Sequence, residues 1–165
     1  MAKPVSIERS TVIEAPIEVV WRVSAQEFEH IDRWDGNVKH SRPNGPATGG
    51  APVGGRICDL YGGGQTIERF VAFDPANCAF AYEITKGLPG FVTAARNTWR
   101  LEALAGNTTR LTMRVDMGVK GLLGAIMRGP MTSQMGKVLT RAQDELKHYV
   151  ETGEPHPRKR KKAKK

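Results

Sequence analysis

Residues 6–21 read Ser6-Ile7-Glu8-Arg9-Ser10-Thr11-Val12-Ile13-Glu14-Ala15-Pro16-Ile17-Glu18-Val19-Val20-Trp21, and the pattern they open runs on to His30-Ile31-Asp32-Arg33-Trp34. Ile7, Arg9, Thr11 and Ile13 alternate with Glu8, Ser10, Val12 and Glu14, the period of a half-buried strand. Pro16 suits the first turn of a helix, where its missing N–H costs nothing. The stretch therefore predicts a strand, a helix start and an aromatic anchor at Trp34.

Outward from it, the chain of 165 residues with 39% hydrophobic residues can build one sizeable core but not two. We expect one domain over residues 1–155 and a basic disordered tail over residues 156–165. The formal charge of +8 is concentrated in that tail, where Arg158 to Lys165 hold seven of the 25 basic residues, leaving 18 against 17 acidic ones. The globular part is nearly neutral, so an anionic partner concerns the tail first. Cys58 and Cys78 are too few for a disulfide framework and have no Cys or His neighbour at zinc-ligand spacing. No secretory h-region follows Met1, and no apolar run approaches the ~20 residues that span a bilayer. The expectation is a cytoplasmic protein without metal or cofactor.

After Trp34, Asn44 to Pro52 is dense turn chemistry. Strands are predicted over Arg56 to Tyr61, Gln65 to Phe73, Ala79 to Thr85, Phe91 to Leu104 and Thr109 to Val119, the last two as a long hairpin turned at Ala105-Gly106-Asn107. Then the period changes. Leu123, Ile126/Met127, Met131, Met135, Val138/Leu139, Ala142, Leu146 and Tyr149/Val150 recur every three or four residues, the stripe of an amphipathic helix about eight turns long. Pro130 is expected to kink or divide it, and Gly153 and Pro155 to stop it. Such a face must be buried, and the concave side of the sheet is the available partner.

This order of elements resembles the START-like superfamily of polyketide cyclases/dehydrases and lipid-transport proteins. The resemblance spans residues 5 to about 155. Its carriers are the first strand with Ala15-Pro16 and Trp21, the Trp34 anchor, Val53-Gly54-Gly55-Arg56, Ile67-Glu68-Arg69-Phe70-Val71-Ala72-Phe73-Asp74-Pro75, Tyr82-Glu83-Ile84, Leu88-Pro89 and the ending from Leu146 to Glu154. It implies an α+β helix-grip: a curved seven-stranded antiparallel sheet wrapped around a long C-terminal helix, with two short helices after strand 1. A shared fold does not fix a function.

Alternation proposes the cavity face. With Phe80, Tyr82 and Ile84 inward, the hairpin contributes Phe91, Thr93, Ala95, Asn97, Trp99 and Leu101 from one strand, and Leu111, Met113, Val115 and Met117 from the next. The strand of Glu68 is mixed on both faces. The resemblance to plant hormone receptors of this fold, whose matching Glu lines the pocket, places Glu68 and Phe70 inward. Trp34, Phe70, Tyr82, Phe91, Thr93, Asn97, Trp99, Met113, Met117, Met131, Met135 and Leu139 are thus the expected cavity residues. Methionines suit a pocket for varied apolar shapes, and equally suit ordinary core filling.

Glu68 is the sharpest candidate for chemistry. Among aromatic residues a carboxyl is desolvated, which raises its pKa and fits it for acid/base work or for holding a ligand hydroxyl. The alternative is a structural pairing with an arginine or Tyr82. Tyr82 and His30 are its possible helpers. His30, Asp32, Asp35 and His40 invite a metal reading, but they flank a helix end and a loop rather than one rigid face, and an exposed polar rim accounts for them. The glycine-rich segments match neither a dinucleotide fingerprint nor a phosphate loop.

The expected function is binding of a hydrophobic small molecule, such as a lipid, isoprenoid or aromatic polyketide, as carrier or sensor. The alternatives are a cyclase/dehydratase-type enzyme using the cavity carboxylate, and nucleic-acid association through the tail. For the tail, contact with anionic membranes through Arg158 to Lys165 ranks ahead of nucleic acid, since no aromatic residue is there to stack on bases. An inert solubility tail ranks ahead of both.

Overall fold

A computed structural model of the chain describes residues 4–165. Seven strands form one antiparallel sheet in the order β1-β7-β6-β5-β4-β3-β2: β1 (Val5–Ile13), β2 (Val38–Pro43), β3 (Gly55–Leu60), β4 (Gln65–Asp74), β5 (Ala79–Lys86), β6 (Val92–Leu104) and β7 (Thr108–Val119). After β1, helix α1 (Ile17–Trp21) runs into a π-helical turn (Arg22–Gln26) and a 3-10 segment (Phe28–Arg33). Pro16 sits just before α1, its carbonyl accepting from the N–H groups of Val19 and Val20. The long helix α2 spans Gly121–Thr152, and α3 spans Pro157–Ala163. This is the helix-grip.

Seven strands need only two edges, and α2 covers one of them. β1 is an edge strand whose outer N–H and C=O groups would otherwise invite pairing with another chain. Side chains of α2 bond to them instead: Gln143 Nε2 donates to Arg9 O at 2.8 Å, Lys147 Nζ donates to Val12 O at 2.7 Å, and Glu151 Oε1 accepts from Glu14 N at 2.8 Å. The helix ends at Gly153, whose φ of 76° is the left-handed conformation a C-terminal cap requires and whose N–H bonds to Tyr149 O.

Pro130 lies inside α2 without dividing it. It sits where the helix is free of the sheet. Leu139 and Leu146 are buried, whereas Leu122, Leu123 and Ile126 are exposed. The predicted stripe is therefore fully buried only in its C-terminal part; in the first turns it is Gly124 that lies against the sheet, beside Val119, while Leu122, Leu123 and Ile126 face outward. The second difference is the tail. Residues 157–163, expected to be disordered, form α3, which is docked rather than free: Lys159 is only 7% exposed, and its Nζ donates to Asp35 O at 3.0 Å and Val38 O at 2.8 Å. A hydrocarbon stem that can bury beside Tyr61, with two carbonyls to receive the amine, outweighs the charge that pointed to a solvated tail.

Between sheet and helices lies an aromatic layer. Phe28 packs on Phe70 with ring centroids 4.1 Å apart and on Tyr82 at 5.2 Å, while Phe80 stacks on Trp99 at 5.2 Å. This layer fills one end of the concave face. The other end is open space.

Candidate functional site

That space is a cavity of about 200 Å³ between the sheet, the Ile31–Val38 segment and α2. Its apolar wall comes from Met113, Val115 and Met117 of β7, Ala95 and Trp99 of β6, and Met135, Val138, Leu139 and Ala142 of α2. Ile84 of β5 and Leu88 of the β5–β6 loop close one side, and Ile31, Trp34, Val38 and Leu60 another. Polar groups are few: Asp35, Asn37, Arg56, Thr66, Glu68, Tyr82 and Asn97.

Arg56 and Glu68 face each other across the β3–β4 pair, where they are direct register partners. Arg56 Nε donates to Glu68 Oε2 at 2.7 Å, and Nη2 approaches the same oxygen at 2.7 Å. Nη1 donates to Phe28 O at 2.7 Å, and the guanidinium lies 3.7 Å from the centre of the Phe28 ring. Burial works against the Arg56 charge, but Glu68, Tyr82 and Cys58 together outweigh it and hold the guanidinium above its usual pKa. Glu68 is thus no isolated desolvated carboxyl; it takes the alternative the sequence left open, a structural pairing with an arginine. Both guanidinium contacts go to Oε2; no hydrogen bond from a described residue reaches Oε1, and Glu68 is among the residues that line the cavity.

Three other groups are similarly unmatched. The side chains of Asn97 and Tyr82, 7% and 6% exposed, line the wall, and no described residue hydrogen-bonds to either. Burial, with Glu68 adding to it, pushes the Tyr82 phenol far above its ordinary pKa, which keeps it a neutral donor. The buried Trp99 Nε1 has no acceptor among the described residues. A buried unpaired donor of this kind costs about 1–3 kcal/mol.

Asp35 is a functional candidate that the sequence placed only on a polar rim. It is 8% exposed on the cavity wall, and its Oδ1 accepts from Asn37 N at 2.7 Å. Burial pushes its carboxyl above the ordinary value of 3.8, opposed by the Asn37 bond and reinforced by Glu145. The neighbouring Gly36 N donates to Glu145 Oε2 at 2.7 Å, so close that a Cβ on Gly36 would lie 2.5 Å from Glu145 Oε1. A side chain at position 36 would push the Glu145 carboxylate from its present place against this segment.

Of the expected cavity residues, Trp34, Glu68, Tyr82, Asn97, Trp99, Met113, Met117, Met135 and Leu139 lie on the wall. Phe70, Phe91, Thr93 and Met131 do not. Phe70 is buried in the aromatic layer under Phe28. Phe91 and Thr93 are displaced by a bulge: Val92 pairs with Val119 but Ala94 with Gly118. The extra residue flips the alternation, so Val92 is buried and Thr93 exposed. Met131 is half-buried on α2 before the helix reaches the cavity. His30 stands outside, its Nε2 3.6 Å from Glu29 Oε1. His40 is exposed on β2, and among the described residues no three His, Cys, Asp or Glu side chains converge as metal ligands. Arg56 and Asp35 are the residues sequence reasoning passed over; alternation along Arg56-Ile57-Cys58 was the signal for the first.

A curved sheet gripping a long helix around an apolar cavity defines a helix-grip architecture. Residues 4–151 match the family model described as polyketide cyclase / dehydrase and lipid transport. The chain belongs to that family. Solved structures similar to it include a START superfamily protein from Mycobacterium smegmatis, 17% identical with a TM-score of 0.73, covering 88% of this chain and 97% of that one. The Zhui aromatase/cyclase from a Streptomyces species is 18% identical with a TM-score of 0.64, covering 92% and 98%. The di-domain aromatase/cyclase BexL is 14% identical with a TM-score of 0.70, covering 88% of this chain and 47% of that one. No curated protein matches. Among the described residues no helix is long and apolar enough to cross a membrane.

Proposed function

We propose that the protein binds a compact apolar molecule bearing at least one hydroxyl group in the cavity between sheet and α2. The observation that carries this is the wall itself: an apolar lining interrupted by Glu68 Oε1, which lacks a donor. A ligand hydroxyl donating there gains a hydrogen bond to an ionised acceptor, worth about 1.5–3 kcal/mol. The apolar body contributes roughly 25 cal/mol per Å² buried before ordering costs. Size argues for something small. A dry cavity of roughly 150 Å³ accepts benzene, so 200 Å³ suits a substituted ring or a small bicycle. A longer chain needs Leu88 or the adjacent turns of α2 to move.

Trp34 and Trp99 on the wall make intrinsic fluorescence the readout, with 2-naphthol and naphthalene as probes. The expected result is saturable quenching, tighter for the naphthol, with that preference reduced about tenfold or more in Glu68→Gln. Ala95→Phe, which fills the cavity, should abolish both. Equal affinity for the two probes, or binding indifferent to Ala95→Phe, would overturn the reading.

A second reading, a cyclase or dehydratase, is favoured by Asp35. A carboxyl whose pKa is raised by burial can hold a proton for a ligand carbonyl while neutral Tyr82 supplies a second donor. It rests on the same cavity and on the names of the two aromatase/cyclase neighbours. His30, outside the wall, has no part in it. Asp35→Asn separates the readings: turnover of a polyketide-like substrate should be lost, whereas naphthol binding should persist.

A further inference from the structure

Beside the cavity, and sharing Asn37 with it, a second hollow of about 310 Å³ lies between α2 and α3, lined also by Arg141, Glu145, Arg158, Lys161, Lys162 and Lys165. Arg158, Lys161 and Lys162 are spaced to share one face of α3, Lys165 follows just beyond its C-terminal end, and Arg141 of α2 lies on the same hollow. Two of these cations are engaged. Arg158 Nε donates to Glu145 Oε1 at 3.1 Å and its Nη2 lies 3.7 Å from Asp144, while Lys162 Nζ donates to Asn37 Oδ1 at 3.2 Å. Arg141, Lys161 and Lys165 have no side-chain hydrogen bond or ion pair to any described residue.

A flexible basic tail would spread such charges apart to lower their repulsion. Here they cannot spread, because α3 is fixed from beneath: Lys159 is buried against Asp35 O and Val38 O, and the His156 side chain caps the helix through Arg158 N at 3.1 Å. The one carboxylate on the lining, Glu145, is already shared between Arg158 and Gly36 N. The fold therefore holds unneutralised cations around a concave space, the arrangement that a multiply charged oxyanion satisfies. A guanidinium offers a planar fork and the ammonium groups point charges, a combination matched to phosphate oxygens.

We propose that this hollow is a binding site for a phosphate-type dianion or diphosphate, held by Arg141, Lys161 and Lys165 with Arg158 at its base. The bound group belongs either to a soluble phosphorylated compound or to a phospholipid headgroup.

The test uses the full chain at low ionic strength, with inorganic pyrophosphate as the soluble probe and phosphatidylcholine vesicles containing phosphatidic acid as the lipid probe. Calorimetry should show one pyrophosphate per chain, against sodium chloride at matched ionic strength. The double variant Arg141→Ala/Lys161→Ala should weaken binding at least tenfold. The double variant Arg160→Ala/Lys164→Ala removes the same charge from a residue of α3 and its C-terminal cap, both outside the hollow, and should leave binding within about twofold. Vesicle binding with the same variant pattern, and competed by pyrophosphate, would identify the headgroup as the source; pyrophosphate binding alone would identify a soluble phosphate. If both pairs of substitutions weaken binding equally, or if neither probe binds beyond the chloride control, the site does not exist and α3 is a solvated charged face.

Discussion

At Arg56 two opposite demands meet. The guanidinium is nearly inaccessible, with a side-chain exposure of 3%, yet it must stay charged to hold Glu68 in place. Removing one member of a buried pair strands the other, at a cost of about 3–5 kcal/mol. Arg56→Ala is expected to lose that much stability in urea denaturation, whereas Arg56→Met with Glu68→Leu should recover most of it and abolish any preference for hydroxylated ligands. Asp35 runs the other way. Its carboxyl is raised above 3.8 by burial, so its contribution to stability is fully present below that value and is lost as pH rises through the folded-state value. Asp35→Asn keeps the acceptor for Asn37 N and removes the buried charge. The variant should melt higher than wild type at neutral pH, and the difference should vanish below about pH 3.8 in melts across a pH series. Alternation leaves the strand of Glu68 ambiguous, and it is the resemblance to plant hormone receptors of this fold that singles the residue out. Neither could show that Arg56, twelve residues back, is its cross-strand partner, because that depends on register rather than on pattern.

The elements show where pattern reading holds and where it fails. Alternation placed Asn97, Trp99, Met113 and Met117 on the concave face, and these strands run undisturbed there. It misplaced Phe91 and Thr93 because one extra residue near Ala94 reverses every side chain before it. Helical periodicity recognised α2 but not which side of its first turns meets the sheet, where Gly124 lies against Val119 and Leu122, Leu123 and Ile126 are left exposed. In α3 the charge run concealed an anchoring lysine. Lys159→Met should strip the lysine's donor from Val38 O and leave Asp35 O with only its 3.3 Å bond from Val38 N, at about 1–3 kcal/mol in all, seen as faster amide exchange over residues 35–38. The cap of α3 titrates as well. Burial, with Arg158 adding to it, holds His156 below its usual value of 6.5. Its contribution is therefore complete above that value and is lost as pH falls toward the folded-state value. The groups facing it are His148, whose ring lies 5.1 Å away, Arg158, Glu145 and Asp144. Proteolysis within residues 157–163 should accelerate between pH 7.5 and pH 5 in wild type, but not in His156→Asn, whose cap does not titrate.

For the whole molecule, the architecture sets a few polar groups into the wall of an otherwise apolar enclosure. The aromatic layer around Phe28 seals one end, and the Asp35–Val38 segment, braced by Glu145 and Lys159, forms part of the wall at the other. A sequence reveals that such a fold encloses something long before it reveals the size of the space, since volume is a small difference between large packed bodies. The central claim is that this space holds a small hydroxylated apolar ligand. Native mass spectrometry of the protein purified from its own host, beside Ala95→Phe purified identically, tests it most directly. The account predicts a stoichiometric adduct on the wild type that is released on denaturation, extracts as a hydroxylated apolar compound, and is missing from the variant. Identical bare masses for the two proteins, persisting after incubation with an extract of host small molecules, would contradict it.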